Sequence, residues 1–165
     1  YCNMNKNDMS SKKIIRIFTS WRFWLFSIWK LPMAFIARMR VKKLTTEDCV
    51  VSVPYNYINK NPFYSIYFAV QAMAAELSTG ALVLLHVDQY NISTLVTKLD
   101  SQYFKKATTK INFICLDGDK LSQVIRSVIE TGEGVSCVLK SRGYDKEGVC
   151  VSEFNITWSL KLRKG

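Results

Sequence analysis

Between Ile66 and Leu85 the chain runs IYFAVQAMAAELSTGALVLL, an Ala-rich apolar stretch broken only by Gln71, Glu76, Ser78 and Thr79. Alanine and leucine favour a helix. Apart from these four residues the run is apolar on every side, and a helix apolar all round is buried all round. A chain of 165 residues has room for about one domain. The economical way to bury one helix on most sides at that size is to wrap a sheet around it.

The flanking segments supply that sheet. Residues 38–44 and 48–54 read as a hairpin with a polar turn at Thr45 to Glu47. Residues 92–99 and 108–116 read as strands, the second alternating Ile111, Phe113, Cys115. Asp117 or Asp119 is a candidate cap for a helix over 120–131, which places Leu121, Val124, Ile125 and Val128 on one face and stops at Gly132. Residues 135–142 then pair with 149–163 through a turn at 144–148. In that last strand Phe154, Ile156, Trp158, Leu160 and Leu162 point inward. Val149 and Val151 are out of phase with them, so a bulge is expected near Ser152 to Glu153. Ahead of the long helix, Asn61 and Ser65 are candidate caps and Pro62 a candidate first residue. The expected architecture is α+β: an antiparallel sheet of five or six strands around one long central helix, with an extra N-terminal amphipathic helix.

The formal net charge is +10, and its distribution is uneven. Residues 1–43 hold ten lysines and arginines against Asp8 alone, so they carry +9 and the body +1. Within this segment KKIIRIFTSWRFWLFSIWKL, residues 12–31, is interrupted by Arg16, Arg22 and Lys30 and is too short in its clean run to span a bilayer, which takes ~20 apolar residues. At helical spacing Ile14, Phe18, Trp21, Leu25 and Ile28 share a face, with Pro32 ending the helix. Residues 1–31 thus form a basic, aromatic extension to a single domain over 32–165. Its apolar face is expected to dock on the domain or a partner subunit; the alternative is peripheral contact of residues 12–31 with an anionic membrane surface. Aromatics of the buried type and the lack of a recognised binding motif argue against nucleic acid.

Five cysteines lacking a C-x-x-C pair, mostly in apolar runs, read as reduced thiols of a cytoplasmic protein, and the sequons at Asn91 and Asn155 would matter only after secretion. The sole histidine, His86, has no cysteine or carboxylate at a motif spacing, so neither a Cys-His pair, a Ser-His-Asp triad nor a metal site is expected.

From about Leu31 onward the chain resembles the hotdog-fold thioesterases, and especially their thioesterase-like bacterial branch. The residues that carry the resemblance are the hairpin, Asn61, Ser65-Ile66-Tyr67-Phe68-Ala69, Ala75-Glu76-Leu77-Ser78-Thr79-Gly80, and Thr157-Trp158 on the closing strand. In the phenylacetate-type members a His-Gly-Gly turn starts the helix, with an acidic residue nine positions after the His. Here Glu76 is the acidic residue, and Tyr67-Phe68-Ala69 stands in place of His-Gly-Gly.

The resemblance implies hydrolysis of an acyl-CoA or other acyl thioester, with no cofactor beyond the CoA moiety of the substrate. It also implies a homodimer or dimer of dimers with its site between subunits. Glu76, the only acidic residue between Asp48 and Asp88, is the candidate base or nucleophile, since burial raises a carboxyl pKa towards neutrality; its alternative role is a place at a subunit interface or an ion pair with a basic residue such as Arg38 or Arg40. Backbone N–H groups near Tyr67 and Phe68 are the implied oxyanion donors, helped by the helix dipole. Asn61 either orients water or the thioester, or caps the turn before Pro62. Thr79 either hydrogen-bonds Glu76 or the substrate, or packs. Tyr67 either donates through its hydroxyl or fills the core. Arg38, Arg40, Lys105 and Lys106 are candidates for the CoA phosphates on charge alone. A non-catalytic acyl-chain or lipid-binding protein is the rival reading, because Tyr67 and Phe68 would close the thioester site.

Overall fold

The computed structural model describes residues 2–163, with side chains from residue 10 onward, so Lys6 and Asp8 lie outside the described side chains. Three helices come first, α1 (Cys2–Thr19), α2 (Arg22–Lys30) and α3 (Pro32–Ile36). Strands β1 (Arg40–Leu44) and β2 (Cys49–Val53) form the hairpin, and the long helix is α4 (Phe68–Val87). Then follow β3 (Ile92–Tyr103), β4 (Ile111–Cys115), α5 (Gly118–Thr131), β5 (Val135–Tyr144) and β6 (Cys150–Leu162).

The six strands make one antiparallel sheet in the order β1-β2-β4-β5-β6-β3, and α4 packs against every strand of it. By length and composition α4 could cross a membrane, but Ala74, Ala75, Leu77, Ala81, Leu82, Val83 and Leu85 are buried by the sheet, which accounts for its apolar character. The inward stripe of β6 is Phe154, Ile156, Trp158 and Leu160, as the alternation requires. Its extra residue is Val151: Gly143 faces Ser152 and Tyr144 faces Cys150. The bulge therefore lies one residue before the expected place, with Val151 and Ser152 both buried.

Three local expectations are corrected. The N-terminal helix is not continuous over 12–31. It breaks after Thr19, where the Ser20 and Trp21 carbonyls accept bonds from the Phe23 and Trp24 N–H groups. The break rotates α2, so Phe18 and Phe23 bury with their ring centroids 5.5 Å apart, while Trp21 and Leu25 of the expected docking face turn to solvent. Pro32 occupies the first turn of α3, where its missing N–H costs nothing.

Nor do Asn61, Pro62 and Ser65 start the long helix, which begins at Phe68 with Tyr67 as its N-cap. Asp117 is the N-cap of α5 by position, but its carboxylate accepts the Lys140 N–H at 2.6 Å and makes no capping bond. Gly132, by contrast, ends α5 in the left-handed conformation, as its position suggested.

Candidate functional site

The start of α4 is held by a loop whose polar side chains face inward. Asn59 is fully buried; its NH2 donates to the Ala37 carbonyl at 2.8 Å and the Pro54 carbonyl at 2.9 Å, and its main-chain carbonyl accepts the Tyr67 N–H. It ties α3, the end of β2 and the start of α4 into one piece. Asn61 folds the next turn: its Oδ1 accepts from the Phe63 N–H, the Ser65 N–H and the Ser65 hydroxyl. That is the turn-forming role, and the Asn61 NH2 takes no acceptor among the described residues. Gln71, buried one turn into α4, donates to the Ile66 carbonyl at 3.1 Å and accepts from the Ser152 hydroxyl at 2.9 Å.

At the helix end itself, the Val70 and Gln71 N–H groups bond the Tyr67 carbonyl. Those of Phe68 and Ala69 point out of the first turn with no acceptor among the described residues, as helix geometry dictates. Tyr67 is 45% and Phe68 56% exposed, and their rings meet edge to face at 4.7 Å. Tyr67 therefore does not fill the core. Asn61, Ser65, Phe68, Gln71, Tyr103, Lys105 and Lys106 line a shallow pocket of about 340 Å³ beside this end.

Glu76 lies eight residues further along, ~12 Å up the axis at 1.5 Å per residue. It is half-buried, and burial alone pushes its carboxyl pKa above the usual glutamate range. The carboxylate has no hydrogen bond or ion pair among the described residues. Arg38 and Arg40 do not meet it; they line a separate cavity formed by α1, α2, α3 and β1. Thr79 is sealed from solvent: its hydroxyl donates to the Glu76 backbone carbonyl at 3.0 Å and accepts from the Trp158 indole N–H at 3.1 Å. Its contact with Glu76 is thus through the main chain, and through Trp158 it anchors α4 to β6.

Gly80 completes this corner. A Cβ built on it would stand 3.0 Å from Glu76 Oε1 and 3.4 Å from the Trp158 ring, so the missing side chain leaves room for the carboxylate beside it. Neither Gly80 nor Asn59 announces itself in the sequence: a helical glycine usually signals only a weak helix, and a loop asparagine usually signals a turn. Gln71 was legible as a polar residue on an apolar helix, though its partner Ser152 arrives from a strand 81 residues away.

The four candidate phosphate cations fall into two groups. Lys105 and Lys106 stand at the pocket beside the helix start, Lys105 paired with Asp145 at 3.0 Å and Lys106 donating to the Phe63 carbonyl. Arg38 and Arg40 are elsewhere. Two of the thiols are shut away from any substrate: Cys49 and Cys115 face each other across β2 and β4, fully buried, and burial pushes the Cys115 pKa up to about 12. His86 bonds the Leu82 carbonyl one turn back through Nδ1.

Residues 19–160 match a family described as a domain of unknown function, DUF4442. No curated protein matches the chain. Among solved structures, a Pseudomonas aeruginosa protein described as a probable thioesterase superposes with a TM-score of 0.76 at 21% identity, over 92% of this chain and 96% of that one. A Chlorobaculum tepidum protein of unknown function gives 0.74 at 17% identity, over 94% and 96%. A Haemophilus influenzae thioesterase gives 0.65 at 10% identity, over 85% and 90%. With six antiparallel strands curled round α4, the extra helices at its start and a match over most of its length, the chain belongs to the DUF4442 family and has the hotdog fold of the thioesterase-like proteins.

Proposed function

We propose that the protein hydrolyses an acyl thioester, with acyl-CoA as the substrate class, at a site shared between two copies of the chain. The observation that carries this reading is the Glu76 carboxylate, half-buried on an apolar helix without a partner and with its pKa raised by burial. An unpartnered carboxylate there costs stability, and such a cost is most often kept at sites of chemistry. In the proposed step water attacks the thioester carbonyl while Glu76 takes its proton. The C–S bond then breaks, and the departing thiolate is protonated to free CoA. The alternative role of Glu76 is nucleophile, through an anhydride that water opens.

The oxyanion would be met by the free N–H groups of Phe68 and Ala69 and by the NH2 of Asn61. One copy separates those donors from Glu76 by ~12 Å along α4, whereas a single carbonyl must lie ~3 Å from the donors and within one water of the carboxylate. Two copies would remove the mismatch if their two-fold axis set the Glu76 of one against the helix start of the other, and this is the arrangement proposed. A surface for such pairing exists. The outer edge of β3 is unpaired, and Leu95, 64% exposed, Leu99 and Tyr103 stand along that strand. Lys105 and Lys106 would contact the CoA phosphates, and no cofactor is required. Unpaired thiols suit a cytoplasmic setting.

The test is release of CoA from a panel of acyl-CoA substrates by the wild-type protein, with oligomeric state followed by sedimentation. Hydrolysis by a dimer or larger assembly is expected. The Tyr67–Phe68 ring pair over the helix start favours a second reading, in which the protein holds an acyl chain without cleaving it. An inactive wild type that co-purifies with a fatty acyl ligand would establish that reading instead.

Gly80→Ala probes the site without touching a reacting group. Alanine in a helix interior gains up to ~1 kcal/mol over glycine, but its methyl would push the Glu76 carboxylate aside by a few tenths of an ångström. The expected outcome is an unchanged or higher Tm with hydrolysis reduced several-fold, since misplacement by about 1 Å costs ~10²-fold and this shift is smaller. Thermal unfolding and the CoA-release rate on the same preparation check it.

A further inference from the structure

The break between α1 and α2 leaves an outward face that the proposed hydrolysis does not use. Trp21, Leu25 and Trp29 follow one another at four-residue spacing on one side of α2, and Met33 and Ile36 continue the exposed apolar run along α3. Trp29 is 85% and Trp21 72% exposed. The opposite side of α2 is committed to the core through Phe23 and Phe26, which pack with Phe18. The exposed tryptophans are therefore not surplus core residues.

Beside it Arg22 and Lys30 lie on α2 itself, and Arg38, Arg40 and Lys42 share a cavity with Trp21; all five are exposed and none is in an ion pair among the described residues. Arg38, Arg40 and Lys42 also form the rim of a cavity of about 720 Å³ walled by Phe18, Phe23, Trp24 and Phe35. Arg38 sits at φ +55 just past the end of α3, a left-handed position where glycine would be unstrained. The strained residue that the fold retains there is a cation on the cavity rim.

We propose that α2, α3 and β1 form a docking surface for an anionic membrane, with Trp21, Leu25, Trp29 and Met33 entering the interface. Arg38, Arg40 and Lys42 meet lipid phosphates at the cavity mouth. Tryptophans concentrate at the membrane boundary because one edge of the ring is apolar and the other donates a hydrogen bond. Basic residues around an apolar helix face add electrostatic attraction to anionic lipid. A second copy of the chain is a poor occupant, since pairing this face with itself would set two segments of net +9 against each other. The face lies at the β1 edge of the sheet, opposite β3, so pairing across β3 leaves it open. The inference stands apart from the thioester reading, and neither fails with the other.

The experiment is co-sedimentation of the full chain with vesicles of phosphatidylglycerol and phosphatidylcholine, and with phosphatidylcholine alone. Binding to the anionic vesicles, weakened by salt and accompanied by a blue shift of tryptophan emission, is expected. Each basic residue near such a surface is worth about fivefold, so Arg38→Gly with Arg40→Gln and Lys42→Gln should weaken binding on the order of a hundredfold. The Arg38→Gly component relieves a left-handed residue and favours folding. Quenching of the wild-type tryptophans by brominated lipid supplies a readout that needs no variant. Absent binding, equal binding to phosphatidylcholine, no quenching, or a folded triple variant that binds like wild type would overturn the proposal. So would a fall in oligomeric state on Trp21→Ser with Trp29→Ser, which would make the face a contact between copies. Salt-sensitive binding of duplex DNA, tighter than to vesicles and lost in the triple variant, would also overturn it.

Discussion

Glu76→Gln is expected to lower thioester hydrolysis by ~10²–10⁴-fold, the range general-base catalysis contributes, and to raise the melting temperature at neutral pH. The two effects share one cause. Burial without a partner disfavours the ionised carboxylate and lifts its pKa in the folded state above the unfolded value. Between those two values the folded protein holds the proton that the unfolded chain has released, so stability falls as pH rises through the window. Above it the full cost of a buried charge remains, and glutamine, of nearly the same shape but neutral, does not carry that cost. The stability gain of Glu76→Gln should therefore shrink as the pH is lowered through the raised pKa and vanish below the ordinary glutamate value. Activity of the wild type should rise over the same window as the base ionises. Thermal unfolding of both proteins across that pH range, beside the CoA-release rate, checks both halves. A variant less stable than wild type at neutral pH would mean that Glu76 has a native partner. Equal activity would remove Glu76 from the chemistry.

Gly118→Ala is expected to be the most damaging glycine-to-alanine change among the described glycines. Gly118 opens α5 directly against the β1–β2 turn, its N–H donating to the Glu47 carbonyl at 3.0 Å. A Cβ there would stand 2.1 Å from the Thr46 carbonyl oxygen and 2.6 Å from Glu47 Cα and its carbonyl oxygen. All three are backbone atoms and cannot swing aside like a side-chain tip. Overpacking of this kind costs about 3 kcal/mol or more, roughly 10 °C in Tm for a domain of this size. Gly132→Ala is the control. Gly132 is left-handed at φ +73 with no atom within 4 Å of an added Cβ, so its cost is conformational, about 1 kcal/mol. Equal losses in the two variants would show that the α5 start relaxes away from the turn.

The elements that were legible are those in which one local period dominates. The Ile66–Leu85 run announced a buried helix because its apolar residues cover the whole circumference, and α4 is found at Phe68–Val87. The alternation from Phe154 to Leu160 announced β6, and the phase slip at Val151 announced its bulge to within one residue. What failed was local chemistry with more than one outlet. Asn61 can serve a helix cap or a turn equally well, and the loop around Ser65 decided for the turn. The segment 12–31 has apolar residues for one long stripe, yet a break at Ser20–Trp21 lets Phe23 and Phe26 join Phe18 against the core.

By itself, the sequence determined the succession of strands and helices after the N-terminal segment, the burial of α4, and the presence of one carboxylate within it, because periodicity and charge are local properties of the chain. Only the tertiary structure decided that this carboxylate lacks a partner among the described residues, that it lies against Gly80, and that ~12 Å of helix separates it from the free N–H groups of the helix start. It also separated Arg38 and Arg40 from Lys105 and Lys106, and turned Trp21 and Trp29 outward. Each of these depends on which distant segment closes over a residue, as Ser152 closes on Gln71 and Trp158 on Thr79. Such contacts are set by the packing of the whole sheet around one helix, and no local period records them.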